Sequence, residues 1–134
     1  MHITARQSWF GTALLVGIVY AMIGVVFAAP SSHVRMWRMA AWAFSAVVFA
    51  THIAYEHLKL KNSPLAGALH TALAVAIGAF GLAVAANVRN LWVGSSYRPL
   101  LTVALVAWPI LTGVPAFVVA LITTYLLRLI SRRT

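Results

Sequence analysis

The sequence predicts an all-α integral membrane protein whose four transmembrane helices form an up-down bundle. The 134 residues are 63% hydrophobic and only 8% charged, whereas a soluble domain carries about 25% charged residues. The apolar residues fall into four runs, each near the ~20 residues that a membrane-spanning helix needs. Short connections between the runs place consecutive helices side by side and antiparallel. Lipid is therefore the expected surroundings of this chain.

Prolines and basic residues delimit the four runs within one membrane domain, residues 1–134. Pro30 closes the first run, because proline cannot continue a helix. Pro64 suits the first turn of the third helix, and Pro99 precedes the fourth. The predicted spans are residues 9–29, 39–58, 64–88 and 100–127.

The net charge of +9 arises from ten Lys and Arg residues against a single Glu. The basic residues lie at the ends of the apolar runs, a pattern typical of anchors to anionic lipid headgroups and not of nucleic-acid binding. The positive-inside rule predicts a cytoplasmic (inner) membrane protein with both termini in the cytoplasm. The small charge difference also leaves a dual topology open. One side has Arg6, Lys59, Lys61, Arg128, Arg132 and Arg133, and the other has Arg35, Arg38, Arg89 and Arg98.

Small residues recur at spacings of three and four in the first and third runs, so that they share one helical face. Such faces let helix backbones approach closely in lipid. The pattern predicts a helix-packing face, used either within one bundle or to form a homo-oligomer or bind a partner membrane subunit. Its glycines are Gly17, Gly24, Gly67, Gly78 and Gly81.

The fourth run contains a segment rich in helix-breaking residues. Its 28 residues would extend ~42 Å as a helix, which is too long for one straight upright span. A kinked or interrupted helix fits this length, and interrupted helices often line transport pathways. A kink satisfied by a threonine hydroxyl and the neighbouring helices is the structural alternative. The residues of the predicted break are Pro109, Thr112, Gly113 and Pro115.

A polar group is predicted where the second and third runs meet. Glu56 is the only acidic residue, and His52 lies four residues before it on the same helical face. His70 lies six residues into the third run, so that His52 and His70 share a depth of ~9–10 Å from the connecting turn. We therefore expect His52, Glu56 and His70 to meet at one level of the bundle.

This residue set is compatible with several chemistries. Histidine titrates near physiological pH, so the group is a candidate proton or cation relay. The same three side chains are the only candidate ligands for zinc or iron, and the two histidines for haem b. The alternative is a solvated pair between Glu56 and Lys59 near the membrane surface.

The leading functional hypothesis is an oligomeric transporter or channel-type protein with this polar site at its cytoplasmic mouth. A non-catalytic accessory subunit of a larger membrane complex is the alternative, and a haem- or metal-binding redox membrane protein is the second alternative. Hydrolytic catalysis is not predicted, since the chain has no acid pair. The absence of cysteine excludes thiol catalysis and disulfides.

Overall fold

The chain folds into four α-helices in the computed structural model. The model describes the backbone of residues 4–94 and 98–131 and the side chains from residue 9 onward. No strand is present in these ranges. Three basic residues of the topology count fall outside this description, namely the Arg6 side chain, Arg132 and Arg133. The helices are α1 (Thr4–Ala28), α2 (Val34–Leu58), α3 (Pro64–Val93) and α4 (Arg98–Ser131).

The helices extend beyond the apolar runs that predicted them. The second helix begins at Val34 instead of residue 39, and the third ends at Val93 instead of residue 88. Ser63 caps α3 by accepting a hydrogen bond from the Ala66 N–H at 3.2 Å. Gly94 closes α3 in the left-handed conformation, with φ of 69°. Hydropathy therefore located the helices, whereas capping residues set the ends of α3.

Three of the four helices, α1, α3 and α4, are long and apolar enough to cross a membrane. The second helix does not belong to this set. Arg35 and Arg38 lie near its start, while His52 and Glu56 lie near its end, and all four lower its hydropathy. Of the four predicted transmembrane helices, three thus have the length and hydropathy to span a membrane, and α2 is the most polar of the four.

Direct contact between α1 and α3 forms the centre of the bundle. A Cβ atom built on Gly17 would lie 2.6 Å from Ile77 Cγ2 and 3.0 Å from the Ala74 carbonyl oxygen. A Cβ on Gly24 would overlap the side chain of Leu82. Contacts therefore advance in the same direction along both helices, which makes α1 and α3 parallel. Each of the two connections between them reverses the chain direction, so that the first and third helices run parallel.

This close contact between α1 and α3, the glycine seam, also contains Gly78 and Gly81 of α3. A Cβ on Gly78 would overlap Tyr20 Cβ, and one on Gly81 would lie 2.9 Å from Ala21 Cβ. Absent side chains allow the two backbones to approach, which is how membrane helices gain packing energy. Most of the predicted helix-packing face is thus used within the chain.

The fourth helix packs antiparallel along α3. The Asn87 side-chain amide donates hydrogen bonds to the Ala83 carbonyl at 2.8 Å and to the Leu101 carbonyl at 2.7 Å, so that it joins the two helices. Farther along, a Cβ on Gly113 would lie 3.3 Å from Ala76 Cβ. Gly113 therefore serves close helix packing in this fold.

The predicted interruption of α4 is absent, because the helix continues from Arg98 to Ser131 through Pro109 and Pro115. Each proline removes one backbone hydrogen bond, and the helical turns on both sides retain theirs. The Thr112 hydroxyl, between the two prolines, donates to the Trp108 carbonyl at 2.9 Å. A bend in this segment stays a prediction.

The second helix is the least enclosed. Its only buried residues are His52, Ile53 and Glu56, all within its last two turns. Toward its start, α2 contacts α1 through aromatic rings, with the Phe27 centroid 5.7 Å from that of Trp37. Packing thus fixes the end of α2 that carries the polar residues, while most of its length lies exposed.

Candidate functional site

The polar site lies where α2 ends and α3 begins. The five-residue connection between these helices returns the chain through Lys61, which adopts a left-handed backbone with φ of 49°. A non-glycine residue in this region is uncommon. This turn brings Asn62 back toward the last turn of α2, over the side chain of Glu56.

The structure brings the three predicted site residues together. Glu56 is only 3% exposed. His70 Nδ1 lies 3.2 Å from Glu56 Oε2, while His52 Nε2 lies 3.6 Å from the other oxygen, Oε1. The carboxylate is therefore enclosed between two imidazoles, each facing a different oxygen atom.

The two carboxylate oxygens differ in their hydrogen bonding. Oε2 accepts a hydrogen bond from the Asn62 side-chain amide at 2.7 Å and lies within hydrogen-bond distance of His70. Among the described side chains, Oε1 has no hydrogen-bond partner, and neither ring nitrogen of His52 has one. A buried polar atom without a partner is costly, and a buried charge costs more. The Oε1 side of the cluster is therefore where a further hydrogen-bonding partner would stabilise the site.

Burial contradicts one alternative interpretation of this site. A solvated Glu56–Lys59 pair would require an exposed carboxylate, yet Glu56 is buried while Lys59 is exposed. Within the described part of the chain, the ion-pair contacts of Glu56 are with His52 and His70. The i,i+3 pairing with Lys59 is thus wrong, because the α2–α3 turn covers the carboxylate.

Three residues that the sequence did not single out complete the site. Asn62 holds Glu56, and Arg128 Nη2 in turn donates to the Asn62 backbone carbonyl at 2.9 Å. The Trp9 ring stacks on His70, with centroids 4.3 Å apart and an interplanar angle of 8°. These contacts tie the ends of α1 and α4 to the cluster. A turn asparagine six residues after the only carboxylate was a usable signal for Asn62, whereas no local pattern indicates Arg128 or Trp9.

The helix-four segment does not belong to this site. Gly113 packs against α3 near Ala72 and Ala76, farther along that helix than His70. Gly67, by contrast, faces the site, since a Cβ built on it would lie 3.6 Å from Glu56 Cβ. The packing glycines thus divide between the α1–α3 seam and the cleft that accommodates the carboxylate.

The geometry gives no support to the metal and haem hypotheses. Over the residues described, no three His, Asp, Glu or Cys side chains are arranged to hold a metal ion. His52 and His70 both face the carboxylate between them, so that an axial pair on one haem would require each ring to turn away. What the arrangement can do is hold a proton among three adjacent titratable groups.

An open groove of about 550 Å³ between α1 and α2 reaches this cluster. Leu15 and Val16 line one wall, and Val47 and Val48 line the other, so that the walls are mainly apolar. His52 lies at the end of the groove nearer the α2–α3 turn, where it links the groove to Glu56.

Comparison of the chain with protein-family models, with curated proteins and with solved structures finds no match in any of the three. Function is therefore argued from the geometry of the site alone.

Proposed function

We propose that this chain is a small polytopic membrane protein of the transporter type in which Glu56, His52 and His70 exchange protons. The observation that carries the proposal is the burial of the only carboxylate between two imidazoles, at 3.2 and 3.6 Å. Ionisable residues inside a helix bundle are expensive, and they mark proton relays and substrate pathways in membrane proteins. Purely structural roles are served more cheaply by apolar residues of similar size.

The three side chains have complementary parts in this proposal. Glu56 lies between the two imidazoles, with a different carboxylate oxygen facing each ring. His70 Nδ1 and Oε2 are close enough to share one proton directly. His52 Nε2, at 3.6 Å from Oε1, needs only a small shift to do the same. A proton can therefore pass between the two imidazoles by way of the carboxylate.

The proposal includes α2 as a fourth membrane span. Its polar residues lie at its two ends, where water and headgroups are within reach, and the stretch between them is apolar. With both termini in the cytoplasm, the α2–α3 turn also lies there, and the cluster becomes the cytoplasmic mouth of the protein.

Reconstituted liposomes test the proposal. Purified protein should conduct protons, or take up a substrate with protons, and Glu56→Gln should reduce this flux to that of protein-free liposomes. The amide is similar in size but cannot accept a proton at pH 7. His57→Gln is the matched control, since His57 lies beside Glu56 in sequence and makes no described contact with it. Equal flux in wild type and Glu56→Gln would reject the proposed role of the carboxylate.

A second candidate function is an accessory subunit of a larger membrane complex. The observation in its favour is that α2 is the most polar helix and has the fewest contacts with the other three, with Trp42 left 79% exposed. A helix of a partner protein, or a second copy of this chain, would bury the exposed side chains of α2 by packing on it. Copurification of another chain, disrupted by Trp42→Ala and unaffected by Glu56→Gln, would favour the accessory role.

A further inference from the structure

We infer that the groove between α1 and α2 binds a single-chain amphiphile whose headgroup is uncharged and forms hydrogen bonds with His52. This assignment names the substrate class of the proposed transporter, and its part in transport rests on that proposed function. It follows from the shape of the groove, from the unpartnered atoms of His52 and from the closed centre of the bundle.

The groove has the size and the walls of a site for a hydrocarbon chain. Its volume of about 550 Å³ lies within the ~300–1,000 Å³ of small-molecule sites. It extends along α2 from Val47 to Tyr55, which is about 12 Å at helical rise. Leu15, Val16 and Val48 provide aliphatic surface between these limits. The groove is open along its length, so that a ligand can enter it from outside the bundle.

His52 supplies a polar end to this apolar groove. Its side chain is 1% exposed, and neither ring nitrogen has a hydrogen-bond partner within the part of the chain that the structure describes. Nε2 faces Glu56 Oε1, which leaves Nδ1 for a second partner. Both nitrogens are enclosed, so that the ring must turn toward the groove before a headgroup reaches Nδ1. A ligand hydroxyl or carbonyl can satisfy either tautomer of the imidazole, because a ring nitrogen donates or accepts according to its proton. Such a ligand would remove the free-energy cost of burying a ring nitrogen without a hydrogen-bond partner.

The closed centre of the bundle argues against a hydrated ion as the substrate. The glycine seam brings Gly17 and Gly78 of α1 and α3 into backbone contact, so that no water-filled path separates these helices. Among the described residues that line the groove, none is Lys, Arg, Asp or Glu. A charged headgroup would lose its hydration there without gaining a countercharge. An uncharged, hydrogen-bonding headgroup has no such cost.

The groove and the proton site meet at one residue. His52 lines the groove and lies 3.6 Å from Glu56, so that a headgroup on Nδ1 is one imidazole away from the carboxylate. Ligand binding and proton binding therefore share His52. A bound headgroup that fixes the tautomer of this ring also fixes which proton Glu56 can receive.

The absence of cysteine from the chain allows a direct binding experiment. Val47→Cys, on the rim of the groove, would be labelled with a polarity-sensitive fluorophore in phosphatidylcholine nanodiscs. Four probes with the same 18-carbon chain would be titrated, namely oleyl alcohol, oleate, oleylamine and octadecene. We expect a saturable response to the alcohol, a weaker one to both charged probes and only non-saturable partitioning of octadecene. A label at Val114→Cys, exposed on α4, should not respond.

Variants at the polar end and in the wall decide the assignment. His52→Leu should weaken binding of oleyl alcohol about tenfold, the loss expected for one hydrogen bond, and His52→Gln should retain most of it. Leu15→Trp, at a position 63% exposed, should fill the groove and abolish binding without disturbing the fold. Binding that is equal for octadecene and the alcohol, or that survives Leu15→Trp, would overturn the inference. Saturable, His52-dependent binding without any proton flux would instead reject the proposed function and retain the site.

Discussion

Replacing Gly78 by alanine should force α1 and α3 apart. The new methyl group would overlap Tyr20 Cβ and would lie 3.1 Å from the Gly17 carbonyl oxygen. A Cβ atom and a carbonyl are fixed by the backbone, so that no change of rotamer relieves either contact. The two helices must therefore separate, and the neighbouring contacts at Gly81 and Gly24 would loosen with them.

The expected loss of stability is the difference between two opposing effects. Overpacking of a close interface costs typically 1–3 kcal/mol, and contacts to backbone-fixed atoms place this site toward the upper end. Alanine in place of glycine gains up to about 1 kcal/mol of helix propensity. The net effect of Gly78→Ala is thus a destabilisation of about 2 kcal/mol.

Helical circular dichroism during denaturant unfolding in detergent measures this difference, and the chain offers two matched controls. Gly11 has no heavy atom within 4 Å of its built Cβ, so that Gly11→Ala should stabilise the protein. At Gly67 the nearest atom is Glu56 Cβ at 3.6 Å, an ordinary contact, and Gly67→Ala should be near neutral. If Gly78→Ala matched Gly11→Ala in stability, the direct α1–α3 contact would be refuted. If Gly78→Ala dissociated an oligomer and left each chain folded, the glycine face would act between chains.

Two further substitutions test the polar contacts that join the helices. Asn62→Ala removes the 2.7 Å hydrogen bond to Glu56, and a hydrogen bond to a charged group is worth about 1.5–3 kcal/mol. The loss should appear as a lower midpoint of denaturant unfolding. An unchanged midpoint would place Asn62 outside the site. Asn87→Ala removes the hydrogen bond to the Leu101 carbonyl and should cost about 0.6–1.7 kcal/mol, as polar contacts between membrane helices do. The control is Thr102→Val, which removes a hydrogen bond within one exposed turn and should change the unfolding midpoint little.

Helical periodicity was sufficient to predict that the three site residues would meet. His52 and Glu56 share a face because they are four residues apart, and a short turn places His70 opposite them. The burial of Glu56 could not be predicted in this way. It depends on the left-handed backbone at Lys61, which turns Asn62 over the carboxylate. A local conformation thus decided between a solvated ion pair and a buried cluster.

The seam and the fourth helix show the same limit of sequence reasoning. Spacing identified the glycine faces of both helices, but spacing carries no information on which face meets which. At Gly113 the sequence indicated a break, because glycine between two prolines weakens a helix. The structure uses the missing side chain for approach to Ala76 instead. Tertiary packing decides such cases, and it is not encoded in any short segment.

The closed seam also constrains how a transporter of this shape would work. Since α1 and α3 are joined at Gly17 and Gly78, access to Glu56 from the far side of the membrane cannot open between them without breaking backbone contacts. The second helix has buried residues only near Glu56, and segments with few buried contacts open at the lowest free energy. Movement of the less buried part of α2 relative to α1 would widen or close the groove, with the packed end at Glu56 as the pivot. In such a mechanism α2 is the moving element, with α1, α3 and α4 as its scaffold. Cysteines introduced at Leu15 and Val47, on opposite walls of the groove, and joined by a reducible bifunctional thiol reagent long enough to span it, would then stop flux until the link is reduced, while leaving the fold intact.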